Sequence, residues 1–360
     1  MRPENRKTGL VPDNLTTIDG SQGVGGGQIL RTCLGLSAAT GRAFRIVRIR
    51  AGRPKPGLAP QHLAAVRAAA AICEAEVSGD RTGSKELTFQ PGPLRPGEYT
   101  FDIGTAGSTT LVLQTPLPAL AIADGRSVIT VTGGTHNPLA PCFEYFRDVF
   151  GTLASATGIQ AYLEMPRAGF YPAGGGRVVL QIEGLAGAEA LSPLRLVTRG
   201  DLKRIEGLSA ASSSLPSHIV ERQRQQVAAR LATVGHTTTV EEANWETDSP
   251  GTLVFLRAVL ARTVAGFFAL GRPGLPAERV ADEAVDQLLA FLASPGAVDA
   301  YAADQLVTLL ALCHDKSCFV TEKVTDHLLT NATVVPQLLC REVAIEGPVG
   351  QPGTVTIKAR

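Results

Sequence analysis

The chain has 360 residues, 44% hydrophobic but only 5% aromatic, enough for about two or three domains whose cores rely on Ala, Val, Leu and Ile. Its 34 basic and 33 acidic residues leave a formal charge of +1, which excludes histone-like, non-specific nucleic-acid binding but allows a local basic cluster. The six cysteines, at 33, 73, 142, 313, 318 and 340, form no C-x-x-C pair. Reduced thiols in a cytoplasmic protein are expected, and a metal cluster at Cys313, His314 and Cys318 lacks a second ligand pair.

The polar stretch Met1 to Leu15 carries no apolar leader. A repeat follows, at an offset of 84 residues: Gly20-Ser21-Gln22-Gly23 matches Gly104-Thr105-Ala106-Gly107, Gly41-Arg42 matches Gly125-Arg126, and Pro54 matches Pro138. In each copy a glycine turn opens an apolar helical stretch (Ile29 to Ala39; Leu111 to Ala123). A Gly-Arg turn and a short strand come next (Phe44 to Ile49; Val128 to Val131). The second apolar stretch is broken by Gln114, Pro116 and Pro118 and is too short to span a bilayer.

Each strand leads through a Gly/Pro-rich loop to an amphipathic helix. The first runs near Gln61 to Ala75 behind Pro60, where a missing N–H costs little. The second carries the stripe Phe143, Phe146, Val149, Phe150 and Leu153. Strands at Glu86 to Phe89 and Arg177 to Ile182 close the two units. Residues 188–275 fit neither copy. A helix (Ser217 to Ala232), a Ser-rich turn at 212–214 and strands (Thr237 to Glu242; Thr252 to Leu260) predict a small α/β insert domain. A weaker third copy begins near Val280, with a helix at Gln305 to Leu312 and a strand at Phe319 to Val320. Its last helix is expected to begin near His327, which is placed in the post-strand loop where copy one puts Ala51-Gly52-Arg53.

Several segments could carry chemistry. Gly23-Val24-Gly25-Gly26-Gly27-Gln28 opens a helix and reads either as a tight turn or as an anion site; it has neither a P-loop Lys nor a Rossmann setting. Arg50, Arg53 and Lys55 lie on a loop stiffened by two prolines and two glycines, with Gln61 and His62 beyond. Guanidinium forks match phosphate oxygens, and Arg31 of the first helix could join them; the alternative is a solvated charge run. Gly174-Gly175-Gly176 reads as a strand-entry turn. His218 and His236 are expected at the surface, His136 in a loop and His314 in a polar turn. A neutral, oriented imidazole can attack phosphorus, which makes His327 a candidate nucleophile beside a purely structural reading.

Together these segments resemble the RNA 3′-terminal phosphate cyclases. The resemblance rests on Gly20–Arg31, on Ile49–Leu58 with Gln61-His62, and on Gly104–Gln114. It continues through Gly169–Gly176, Tyr301-Ala-Ala-Asp-Gln305 and His327-Leu-Leu-Thr-Asn331, in the family's order over nearly the whole chain. It implies an α+β fold of three repeats like the C-terminal domain of translation initiation factor three, spanning 1–187 and 276–360 and interrupted by the α/β insert at 188–275.

It also implies a cytoplasmic ligase using ATP. The histidine, here His327, takes AMP from ATP and releases pyrophosphate; AMP passes to an RNA 3′-phosphate, and the 2′-OH closes a 2′,3′-cyclic phosphate. Under this resemblance Gln114, Pro141, Tyr301, Ala302, Ala303, Asp304 and Gln305 surround ATP, with Tyr301 and Pro141 bracketing adenine. Arg31, Arg50, Arg53, Gln61 and His62 serve phosphates. RNA with a 3′-phosphate end is the expected partner, and no membrane is involved.

Two departures stand out. The run before His327 reads Cys318-Phe-Val-Thr-Glu-Lys-Val-Thr-Asp, unlike the Ser-Cys-His of many relatives. Val24 replaces a glutamate that usually helps hold a divalent cation, so Mg²⁺ or Mn²⁺ is expected on ATP phosphates and water, with no protein ligand assigned. Two rivals are a non-catalytic RNA-binding or ribosome-assembly factor on the cyclase fold, which would lack the histidine, and an enolpyruvyl transferase, which would need another basic constellation.

Overall fold

A computed structural model describes residues 15–359; all of Met1 to Leu15 except Leu15 lies outside the described residues. The fold is α+β, with four four-stranded sheets. Three of them share one topology. The first joins β1 (Thr16–Asp19), β2 (Phe44–Val47), β4 (Leu87–Gln90) and β3 (Glu76–Ser78) in that order. The second joins β5 (Glu98–Asp102), β6 (Arg126–Gly133), β8 (Gly176–Glu183) and β7 (Gln160–Arg167). The third joins β9 (Arg195–Leu196), β14 (Ser317–Thr321), β16 (Gly353–Ile357) and β15 (Val343–Glu346). In each, the first two strands are parallel and the other pairings antiparallel. Period-two burial along β6, with Ser127, Ile129 and Val131 inward, fixes its register against the helices.

The helices of the first two repeats are α1 (Gly27–Thr40), α2 (Pro60–Ala71), α3 (Thr109–Gln114) and α4 (Leu117–Ala121). A helical stretch follows, made of α5 (Phe143–Tyr145), a π-turn at Phe146–Phe150 and α6 (Gly151–Ser155). The apolar run Leu111 to Ala123 is thus two helices rather than one, parted at Pro116, which cannot supply an N–H to α3. The helix α1 is buried on most sides, and Gly35 permits its approach to α3: a Cβ there would lie 2.8 Å from the Thr115 carbonyl oxygen.

The fourth sheet joins β11 (Thr238–Trp245), β10 (Leu202–Ser212), β12 (Thr252–Leu260) and β13 (Val264–Leu270). It is covered by α7 (His218–Ala232) and α8 (Ala277–Ala293). Val280, Ala284, Val285, Leu288 and Phe291 of α8 share a core with Val227, Leu231, Val254 and Leu256. This packing corrects the expected start of the third copy at Val280, because α8 buries its apolar stripe on the insert. Within the expected insert segment 188–275, β9 pairs not with the fourth sheet but with β14 of the third repeat. The third repeat's helices are α9 (Ala300–Leu310) and α10 (Asp326–Leu339). No described helix is long and apolar enough to cross a membrane.

Candidate active site

His327 is the second residue of α10, in keeping with a last helix beginning near it, and it corresponds to Gln61 of α2 rather than to the Ala51-Gly52-Arg53 loop. The Thr325 side chain caps this helix, its oxygen accepting from the Leu328 N–H at 2.9 Å and its hydroxyl donating to Asp304 Oδ1 at 2.5 Å. One turn on, Asn331 donates to the Asp304 carbonyl at 2.7 Å and accepts from the Thr32 hydroxyl at 2.8 Å. α9, α10 and α1 are thereby locked beneath the imidazole.

Gln28, in the first turn of α1, determines the state of that ring. Its Nε2 donates to the His327 carbonyl oxygen at 3.1 Å, which fixes the amide orientation and turns Oε1 toward His327 Nδ1. An amide oxygen can only accept, so Nδ1 carries the proton and Nε2 keeps a free lone pair. Desolvation, then the positive charges of Arg31 and Arg53, hold the His327 pKa below its usual 6.5. The ring is therefore neutral at pH 7.

Around the N-terminus of α1 the backbone comes within reach of three basic side chains. No side chain caps this helix, so its first N–H groups stay open to an anion. A Cβ on Gly26 would lie 3.2 Å from Arg53 Nη2; one on Gly27 would lie 2.1 Å from His62 Nε2 and 3.0 Å from Arg31 Nη1. Burial pulls the Arg31 pKa down to about 10, still fully charged at neutral pH. Burial, then Arg31 and Arg50, push His62 down to about 3. Its Nδ1 accepts from the Ala59 N–H at 3.2 Å, leaving a neutral Nε2–H donor toward Gly27. The result is a cradle of donor groups at the start of α1. Gly27→Ala is expected to displace His62 and to slow phosphate chemistry by roughly 10²-fold, with an unchanged far-ultraviolet dichroism spectrum.

Beside the cradle lies a cleft of about 820 Å³ with its open mouth, lined among others by Gln114, Pro141, Tyr301, Asp304, Gln305 and His327. Tyr301 is propped edge-on by Tyr145 at 5.6 Å and met by the tilted ring of Phe268 of the insert at 5.6 Å. Tyr145 in turn donates to Asp299, the cap of α9, at 2.5 Å. Gln305 Oε1 is a buried acceptor with no hydrogen-bond partner among the described residues, an orphaned polar atom at the cleft wall.

Ala302 and Ala303 do not line this cleft. Both are 0% exposed on the core face of α9, because only one face of a helix can meet the opening. Gln61 spends its Oε1 on the Ser108 N–H at 3.1 Å, and Arg50 donates to the Gly57 carbonyl at 2.8 Å, so these two brace neighbouring loops. Gln28, Thr325 and Asn331 stood inside quoted motifs without a role, because their partners lie 299, 21 and 27 residues away. Among the other histidines, His136 is buried against Glu144 at 2.8 Å and Trp245, while His218 and His314 are exposed and His236 is half-buried.

Burial raises the Asp304 pKa to about 7, the Thr325 hydrogen bond opposing it. The folded state therefore binds a proton that the unfolded chain releases near 3.8, and stability falls as pH rises from about 4 through 7. Asp304→Asn keeps an acceptor for Thr325 and is expected to flatten that decline, read as Tm against pH.

The described residues contain no group of three His, Cys, Asp or Glu suited to a metal ion. Val24 is half-buried beside Gly23, where a Cβ would strike Thr330 Oγ1. The surroundings of Val24 do not fit a protein-held cation.

A sequence model of the family described as RNA 3′-terminal phosphate cyclase matches residues 22–345. The chain is 46% identical over 328 residues to the RNA 3′-terminal phosphate cyclase of Methylococcus capsulatus, covering 89% of this chain and 90% of that one. It is 43% identical to the protein of that name from Ralstonia nicotianae (94% and 95% covered) and 43% identical to that from Salmonella agona (90% and 92%). With its three like sheets and the Gln28–His327 pair over a basic cradle, the chain belongs to the RNA 3′-terminal phosphate cyclase family.

Proposed function

We propose that the protein converts an RNA 3′-phosphate to a 2′,3′-cyclic phosphate at the expense of ATP, through an AMP-carrying His327. The observation that carries this reading is the neutral imidazole whose Nδ1–H is held by Gln28 and which lies close enough to Arg31 and Arg53, two members of the cradle, for their charges to act on it. Adenine would lie between Tyr301 and Pro141, with Gln114, Asp304 and Gln305 offering polar groups to base and ribose. Nε2 attacks the α-phosphorus; the bond to the bridging oxygen breaks and pyrophosphate leaves. The cradle would stabilise charge on the phosphate oxygens as that bond opens.

The phosphoramidate so formed is itself a good donor. An oxygen of the RNA 3′-phosphate attacks the AMP phosphorus, the N–P bond breaks, and Nε2 departs with its lone pair as a neutral imidazole, since Nδ1 has kept its proton throughout. The 3′-phosphorus now carries AMP as leaving group in place of oxide. Attack by the adjacent 2′-oxygen closes the ring with a large proximity advantage, its proton passing to solvent as AMP leaves. Ligase-type activity follows from the coupling to pyrophosphate release.

Incubation with α-labelled ATP tests the reading. Acid-labile label on the protein, chased into AMP when an RNA 3′-phosphate is added and ends become cyclic, is the expected result. A protein that binds RNA but takes no label would belong instead with a non-catalytic RNA-binding role.

A further inference from the structure

Next to the cradle, the loop that carries Arg53 forms one wall of a second depression. This groove, of about 1220 Å³, runs between residues 47–56 and the turn 81–86. Its floor is built in advance: the Ile49 N–H bonds the Lys85 carbonyl at 2.9 Å, the Leu58 N–H the Ser84 carbonyl at 3.0 Å, and the Gly83 N–H the Leu58 carbonyl at 2.8 Å. Arg48 and Arg50 both take left-handed backbone (φ 55° and 53°) on either side of the buried Ile49. Such conformations in non-glycine residues persist only where the surroundings enforce them.

The charge in the groove is unbalanced. Asp19 is taken by Arg48, and Glu86 by Arg45 at 2.6 Å. Arg81 and Lys85 are exposed and form no ion pair among the described residues, and Lys55 of the Arg53-bearing loop is exposed as well. In two other depressions the cations are matched. In the pocket between α7 and α8, Arg222 pairs with Glu278 and Arg272 with Glu283. In the one between the π-turn helix and the insert, Arg147 pairs with Asp148 and Arg204 with Glu206. None of the exposed large apolar side chains lies in the groove, so it lacks the anchors of a protein-docking site.

We propose that this groove binds the sugar-phosphate backbone of the RNA just 5′ of the end held in the cradle, with Arg81 and Lys85 as phosphate contacts. The choice of RNA as occupant rests on the cyclase reading. Ala51 and Pro56 of the Arg53-bearing loop line the groove, so a strand leaving the cradle meets these cations first. The contacts would be sequence-independent and would act on affinity, not on the chemical steps.

The test is anisotropy of 5′-labelled RNA ending in a 3′-phosphate, at lengths of two and about ten nucleotides. Wild type is compared with the double variant Arg81→Glu/Lys85→Glu over a series of salt concentrations. The variant is expected to bind the longer RNA at least about tenfold more weakly. Its slope of log affinity on log salt should be shallower by about 1.4, from two lost phosphate contacts. The dinucleotide should bind as before, and AMP attachment from labelled ATP should be unaltered. Unchanged affinity and slope for the longer RNA would overturn the proposal, as would equal weakening at both lengths, which would mean a disturbed cradle. Absence of label on wild type would sink the cyclase reading alone, because the binding measurement needs no catalysis.

Discussion

In His327→Ala, AMP attachment and ring closure are expected to vanish together, while the unfolding transition should hardly move. The side chain is exposed to the cleft, and its hydrogen bond is to one neighbouring amide, so truncation removes little packing. It does remove the only atom in the proposed chemistry that can carry AMP. Gln28→Ala separates orientation from identity. It keeps the nucleophile but frees its tautomer, and is expected to slow attachment by roughly 10- to 100-fold, about 1.4–2.7 kcal/mol. Labelled protein from His327→Ala, or cyclic ends formed at near wild-type rate, would move the nucleophile elsewhere.

Arg31→Ala and Arg53→Ala are each expected to slow attachment or transfer of AMP by roughly 10²-fold, from charge-assisted phosphate contacts of about 3 kcal/mol. Their pH profiles carry a second signature. Both guanidiniums repel the protonated form of His327, so the acid limb of the attachment rate lies below pH 6.5 in the wild type. Removing either charge raises the pKa of that imidazole and moves the limb upward. A simple loss of packing would lower the rate without moving the limb. Arg31→Lys restores the charge and should return the limb toward its original position. It should not restore the full rate, since an ammonium cannot make the forked contact.

Much of the fold could be read from the sequence because it repeats. A glycine turn, a helix, a strand and a second helix recur, and one of the two central strands of the insert, Thr252–Leu260, is continuous enough to be read directly; the strands that open the repeats, β1 and β5, and the other central strand, β10, were not read. The short edge strands could not be read: β3 has three residues and β9 two, and each exists only through its pairing partner. The helix α8 misled for a related reason. Its strong apolar stripe says that it is buried, but not whether the insert or the third repeat receives it.

The site divides in the same way. Tyr301, Asp304, Gln305 and His327 share motifs and share the cleft. Ala302 and Ala303 were carried along by contiguity, although helix geometry turns them inward. The Gln28 contact and the matched charges of the α7–α8 pocket depend on chain segments brought together by folding, for which a single sequence holds no signal.

The pairing of Gln28 with His327 also orders events on the ribosome. These residues are 299 apart, so at about 5–20 residues per second roughly 15–60 s separate their synthesis. Throughout that interval the first repeat can form its own sheet and cradle, yet its amide has only water to bond. Under the proposed mechanism, the capacity to take AMP would arrive only when α10 docks against α1.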